Sequence, residues 1–138
     1  VRVSRSIDLH PSGKDPLWRA LSDPNYVFPR LFPPVKQVHQ VGGSFRGDGK
    51  FIGSSFVLNI YREVRGDEVA YHFVLTTGGK EGSGELLIKF ADRRVLLEFQ
   101  YSGWMENVSG IFFVRRWFDG FLGKVVSDSR NLDLGAGV

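Results

Sequence analysis

The stretch LSDPNYVFPRLFPPV, residues 21–35, sets four prolines among bulky apolar side chains within fifteen positions. Asp23-Pro24 reads as a helix start: the Asp carboxylate caps free amides, and proline is favoured at the first helical position because its missing N–H costs nothing there. Pro29 is expected to interrupt that helix, because it lacks a donor and its ring clashes with the preceding turn. Pro33-Pro34 ends it. Just upstream, LWRALS places Leu17, Trp18 and Leu21 at helical spacing, enough for another short helix. The stretch therefore predicts two short helices meeting at a corner, the second broken by proline. A helix of this length is weakly held by itself. Its two bulky rings, Phe28 and Phe32, are expected to act as a lid over the mouth of an internal cavity.

Before this stretch, residues 1–9 alternate, with Val1, Val3, Ile7 and Leu9 on one face and Arg2, Ser4, Ser6 and Asp8 on the other, the mark of a half-buried strand. After it, Val35 to Trp104 reads as six strands parted by turn signals, among them Gly42-Gly43, Gly53-Ser54, Arg65-Gly66-Asp67, Gly78-Gly79 and Asp92-Arg93-Arg94. Turns roughly every ten residues argue for an antiparallel meander of hairpins. Phe56, Leu58 and Ile60 share a phase, as do Tyr71, Phe73 and Leu75, then Leu86, Ile88 and Phe90, then Val95, Leu97, Phe99 and Tyr101. Each strand thus offers one apolar face to a common interior.

Beyond Trp104 the period changes. Val108, Ile111, Phe112, Val114, Trp117, Phe118, Phe121, Leu122, Val125 and Val126 fall at helical spacings and make a wide apolar face about twenty residues long. Asn107 or Ser109 is a candidate cap, Asp128-Ser129-Arg130 begins the polar end, and residues 132–138 are expected to fray. Residues 1–131 read as one α+β domain: a strand, two short helices, six hairpin strands and a long amphipathic helix. The physical solution is a curved antiparallel sheet wrapped around that last helix, with the first strand pairing the seventh. Such a sheet does not easily fill its own concavity.

Composition bounds the function. The chain has 138 residues, 42% hydrophobic and 24% charged, and its 14% aromatic content includes twelve Phe and three Trp, which need a large interior or a cavity to line. Eighteen basic against fifteen acidic residues give a formal charge of +3, interspersed in sign, so no phosphate-tracking stripe is built and no nucleic-acid partner is expected. Cysteine is absent, which removes disulfides, thiolate metal sites and cysteine nucleophiles. No apolar run is long enough for a membrane span, and VRVSRSIDL is not built like a leader, so a cytoplasmic location is the simplest expectation. His10, His39 and His72 are scattered without metal-ligand spacing, so no metal or other cofactor is expected.

The order of elements, LWRALSDP after the first strand and YSGW before the long helix resemble the START-like, Bet v 1-like helix-grip (SRPBCC) superfamily. LSDPNYVFPRLFPPV and YSGWME look most similar to a small archaeal group of unknown function within it. The resemblance implies a seven-stranded sheet gripping a C-terminal helix around an apolar cavity, with two short helices in a V between strands 1 and 2. It does not imply one activity, since carriers, cyclases, hydrolase-like enzymes and co-chaperone modules share the fold. No catalytic residue carries over.

Arg5 is the odd residue of the first strand, in phase with Val3 and Ile7 and so expected to point inward. A buried guanidinium needs an anion or a bonded partner. It would recognise a carboxylate or phosphate at the cavity end, or pair with Asp119 or Glu98, or reach water at the rim. Tyr101 on the neighbouring last strand would join it in holding a polar head. Asn59 and Tyr61 have the outward phase. The expected function is binding of a small hydrophobic or amphipathic molecule, such as a lipid, isoprenoid or quinone. Phe28 and Phe32 would form the lid, Leu58, Phe73, Ile88, Phe99, Trp117 and Phe121 the lining, and Arg5 and Tyr101 the polar end. The alternatives are a cyclase- or hydrolase-like enzyme on a similar molecule, and an interaction module with a filled core.

Overall fold

Among the described residues, alternation in the strands and the 3.6-residue period of the last segment resolve into ten elements. In chain order they are β1 (Arg2–Asp8), α1 (Lys14–Leu21), α2 (Pro24–Leu31), β2 (Val38–Val41), β3 (Ser44–Phe51), β4 (Ser54–Arg65), β5 (Glu68–Thr77), β6 (Lys80–Phe90), β7 (Arg94–Gly103) and α3 (Val108–Ala136). The computed structural model describes residues 2–8, 14–51, 53–104 and 108–136, with α3 side chains described from 114 to 129. His10 and the candidate cap Asn107 lie outside these residues, and Ser109 falls within the first turn of α3.

The seven strands form one curved antiparallel sheet in the order β1-β7-β6-β5-β4-β3-β2, so the first strand does pair with the seventh. The register sets Arg5 opposite Leu97, Tyr71 opposite Leu86, and Leu58 opposite Leu75. Each apolar set read from the sequence lies on one buried face: Phe56, Leu58 and Ile60 of β4, Tyr71, Phe73 and Leu75 of β5, Leu86, Ile88 and Phe90 of β6, and Val95, Leu97, Phe99 and Tyr101 of β7. Val114, Phe118, Phe121 and Val125 of α3 close the core from the other side. No described helix is long and apolar enough to cross a membrane.

Two boundaries differ from expectation. α2 runs through Pro29 to Leu31 instead of breaking. Pro29 is the sixth residue of the helix, so its missing N–H removes one intrahelical bond, to Asn25, while Phe32 N–H still reaches Phe28 O at 2.8 Å. α3 continues to Ala136, past the point where the polar composition suggests fraying.

The corner between α1 and α2 is built as its sequence implies. Asp23 is the N-cap of α2, its carboxylate accepting from Asn25 N–H at 2.9 Å, and Pro24 is the first helical residue. The last carbonyls of α1 are satisfied from the sheet. The Tyr71 hydroxyl donates to Leu21 O at 2.6 Å, and Arg62 Nη1 donates to Ser22 O at 2.7 Å. Burial pushes the Tyr71 phenol well above its usual range, against a smaller opposing effect of Arg62, so it stays a proton donor. Trp18 of α1 meets the buried Phe90 edge-on at 5.1 Å and ties the helix to the end of β6.

Candidate ligand site between sheet and helix

The bulky apolar side chains of α2 and its C-cap are buried in the core. Phe28 is 0% exposed and Phe32 is 1% exposed. The two rings are nearly parallel, with centroids 6.2 Å apart, and they enter a continuous set of rings supplied by the sheet and α3. Phe28 meets Tyr71 edge-on at 5.3 Å and Phe73 at 5.6 Å. Phe32 meets Phe73 at 5.3 Å and Trp117 at 5.8 Å. Phe73 then stacks on Phe99 at 6.0 Å, and Phe99 on Phe118 at 5.2 Å, both with planes within 14°. Edge-on and offset contacts of this kind contribute about 0.5–1.5 kcal/mol each beyond their buried area. The rings expected as a lid thus lie within the core, packed against the rings of the sheet and α3.

A glycine makes that wall possible. Gly84 of β6 lies between Phe73 and Tyr101 in the register, and those two rings stack across it at 6.2 Å. A Cβ on Gly84 would sit 2.5 Å from Phe73 Cζ and 2.4 Å from Gln100 O, so only hydrogen fits. Two glycines of α3 do something different. Gly120 and Gly123 face solvent with open space where a Cβ would project, so they neither admit a neighbouring helix nor shape the interior.

The expected site residues divide clearly. Leu58, Phe73, Ile88, Phe99, Tyr101 and Phe121 are buried on the inner face together with Phe28 and Phe32, and Trp117 is half-buried against them. Arg5 does not point into the interior. β1 is an edge strand, and the long stem of Arg5 lets its guanidinium leave past that edge, where it is exposed and donates from Nη1 to Ser4 O at 2.8 Å. With Arg2, Val3, Ser4, Arg115 and Asp119 it lines a rim concavity of about 210 Å³. Tyr101 is not beside it: Arg5 pairs with Leu97, and Tyr101 lies four residues further along β7, about 13 Å away at a rise of about 3.3 Å per residue. The Tyr101 hydroxyl bonds Trp104 O and so fastens the end of β7. Larger concavities, of about 590, 540 and 430 Å³, open on the outer face of the sheet and at its β2–β3 end, not between sheet and helix.

Sequence reasoning missed Asp128. Its Oδ2 accepts from the Tyr26 hydroxyl at 2.7 Å and from Arg30 Nε at 3.2 Å, linking α3 to α2. Arg30 also donates from Nη1 to Tyr26 O at 3.0 Å and lies 3.9 Å over the Tyr26 ring. Burial, the bond to Asp128 and its charge together raise the Tyr26 phenol far above its ordinary value, with Arg30 opposing. The spacing of Tyr26 and Arg30, four apart on one helix, was the available signal. Their shared partner lies about a hundred residues away, so no local pattern points to it.

On the inner face of the sheet three hydroxyls are committed to carbonyls, Tyr71 to Leu21, Tyr101 to Trp104, and Thr77 Oγ1 to Ser55 O at 2.6 Å, whereas Ser22 Oγ at the α1–α2 corner is buried without a hydrogen-bond partner among the described residues. His39 and His72 are exposed, with His72 Nδ1 at 3.7 Å from Glu85 Oε2 on the outer face.

A curved sheet gripping one long helix over an aromatic interior defines the helix-grip class. A protein-family model matches residues 1–135, and the chain belongs to that family; its fold is the START-like, Bet v 1-like fold. No curated protein matches it in sequence. Among solved structures it is similar to a hypothetical protein from Sulfolobus tokodaii, with 20% identity, TM-score 0.66, and 99% of each chain covered. A START superfamily protein from Mycobacterium smegmatis matches with 14% identity and TM-score 0.58 over 95% of this chain and 98% of that one. Ara h 8.0201 matches with 12% identity and TM-score 0.60 over the same shares. At these identities the structures speak for the fold.

Proposed function

We propose that the protein binds a small hydrophobic or amphipathic molecule, a lipid, isoprenoid or quinone, between the sheet and α3, in the space that Phe28 and Phe32 hold in this structure. One observation carries the reading. Phe28 belongs to an eight-residue helix and Phe32 is its C-cap, whereas Phe73, Phe99, Phe118 and Trp117 around them belong to longer elements. A ligand that displaces the rings of α2 meets a wall already formed and apolar, the arrangement that small-molecule sites use. The helix-grip fold supports the same reading. The committed hydroxyls of Tyr71, Tyr101 and Thr77 favour binding over catalysis, since each serves as a structural donor. Arg5, beside Arg2 and Arg115 at the β1 rim, would meet an anionic head that projects from the interior. A cytoplasmic carrier is the simplest form of this proposal.

Native mass spectrometry of protein purified from its own source, followed by organic extraction, tests it. The expected result is a reproducible small-molecule adduct that extraction removes. A bare chain in every preparation, with no uptake of added hydrophobic probes, would rule the reading out.

A further inference from the structure

We infer that α2 is a gate to this interior and that Asp128 is its latch; the inference rests on the binding function proposed above. The segment around α2 is fixed at both ends. At its start, Arg62 and Tyr71 hold the carbonyls of Ser22 and Leu21, and Asn25 Oδ1 accepts from Val38 N–H at 3.0 Å. At its finish, the Pro34 carbonyl lies so close over Gly49 of β3 that a Cβ there would be 2.7 Å from it. Between these anchors α2 has few internal bonds, because Pro29 removes one from a helix of eight residues. The segment can therefore bow outward without coming free, carrying Phe28 and Phe32 with it.

Among the described residues the polar tie across the moving part is the Tyr26–Asp128–Arg30 cluster. One carboxylate oxygen takes both donors, and the Arg30 and Asp128 side chains are 37% and 34% exposed, so water competes for the bonds once they part. A tie of this kind sets the open fraction. The apparent dissociation constant of a ligand that needs the open form equals the intrinsic one divided by that fraction. Loosening the latch must tighten binding.

The test compares the wild type with Asp128→Ala and Tyr26→Phe, both of which keep good packing and helix propensity. Hydrogen exchange is read over residues 24–32 and, as control, over β5, while fluorescence follows the uptake of N-phenyl-1-naphthylamine. In Asp128→Ala, residues 24–32 are expected to exchange about tenfold faster with β5 unchanged. The apparent dissociation constant for the dye is expected to fall by a similar factor, equivalent to about 1.4 kcal/mol. Tyr26→Phe is expected to shift both in the same direction by less. Unchanged exchange over residues 24–32 in both variants overturns the latch. Faster exchange with unchanged dye affinity overturns the gate. Faster exchange while no variant takes up the dye overturns the binding function and keeps the latch.

Discussion

Tyr71 shows how much a single side chain does here. Its ring stands against Phe28 and its hydroxyl satisfies the last carbonyl of α1, so it couples the wall of the interior to the corner that launches α2. Tyr71→Phe keeps the ring and leaves Leu21 O without its partner. The expected loss is about 1–3 kcal/mol, read from denaturant unfolding. Gly84→Ala is expected to be worse, because the new methyl would meet both Phe73 and a backbone carbonyl. Overpacking of this sort costs about 1–3 kcal/mol, and the backbone contact places the change at the upper end, read as a lowered Tm. The phenols also set a pH response. Tyr26 and Tyr71 are both raised from an ordinary value of 10.0. A raised group contributes stability that is complete below its unfolded value and is lost as pH rises towards the folded one. Stability is therefore expected to show no tyrosine-linked change near neutrality and to fall above about pH 10, followed by unfolding across that range. The inward phase of Tyr71 was legible from alternation. The orientation of Arg5 was not, because period two assigns a face to Cβ but does not say where a long side chain at a sheet edge ends.

At the scale of elements, the strands and the corner at Leu21–Pro24 were readable because each rests on local signals: alternation, paired turn glycines, a capping Asp before Pro. The continuity of α2 through Pro29 was not, since tertiary burial of Phe28, Leu31 and Phe32 outweighs one missing bond. Nor was the length of α3, whose polar end has no apolar stripe to announce it. Two changes probe these elements. Gly120→Ala and Gly123→Ala fill open positions on the exposed side of α3 and are each expected to add about 0.5–1 kcal/mol, read as a higher Tm. Pro29→Ala restores a donor inside α2 and is expected to slow hydrogen exchange over residues 24–32 several-fold, opposite in sign to loosening the Asp128 tie.

For the whole molecule, the architecture was legible in the order of its elements, down to the pairing of the first strand with the seventh. Whether the aromatic excess surrounds an opening or fills it was not legible, because inward phase is the same for a lining and for a plug. The structure has the rings of α2 in contact with the rings of the sheet and α3, and the proposed function turns on whether a ligand replaces them. The most direct measurement is an NMR titration with N-phenyl-1-naphthylamine, following side-chain signals across the protein. The account predicts shifts concentrated on Phe28, Phe32, Phe73, Phe99 and Trp117. Shifts confined to outer-face residues such as Tyr61 and Leu96, with the inner rings unmoved at saturation, would contradict it.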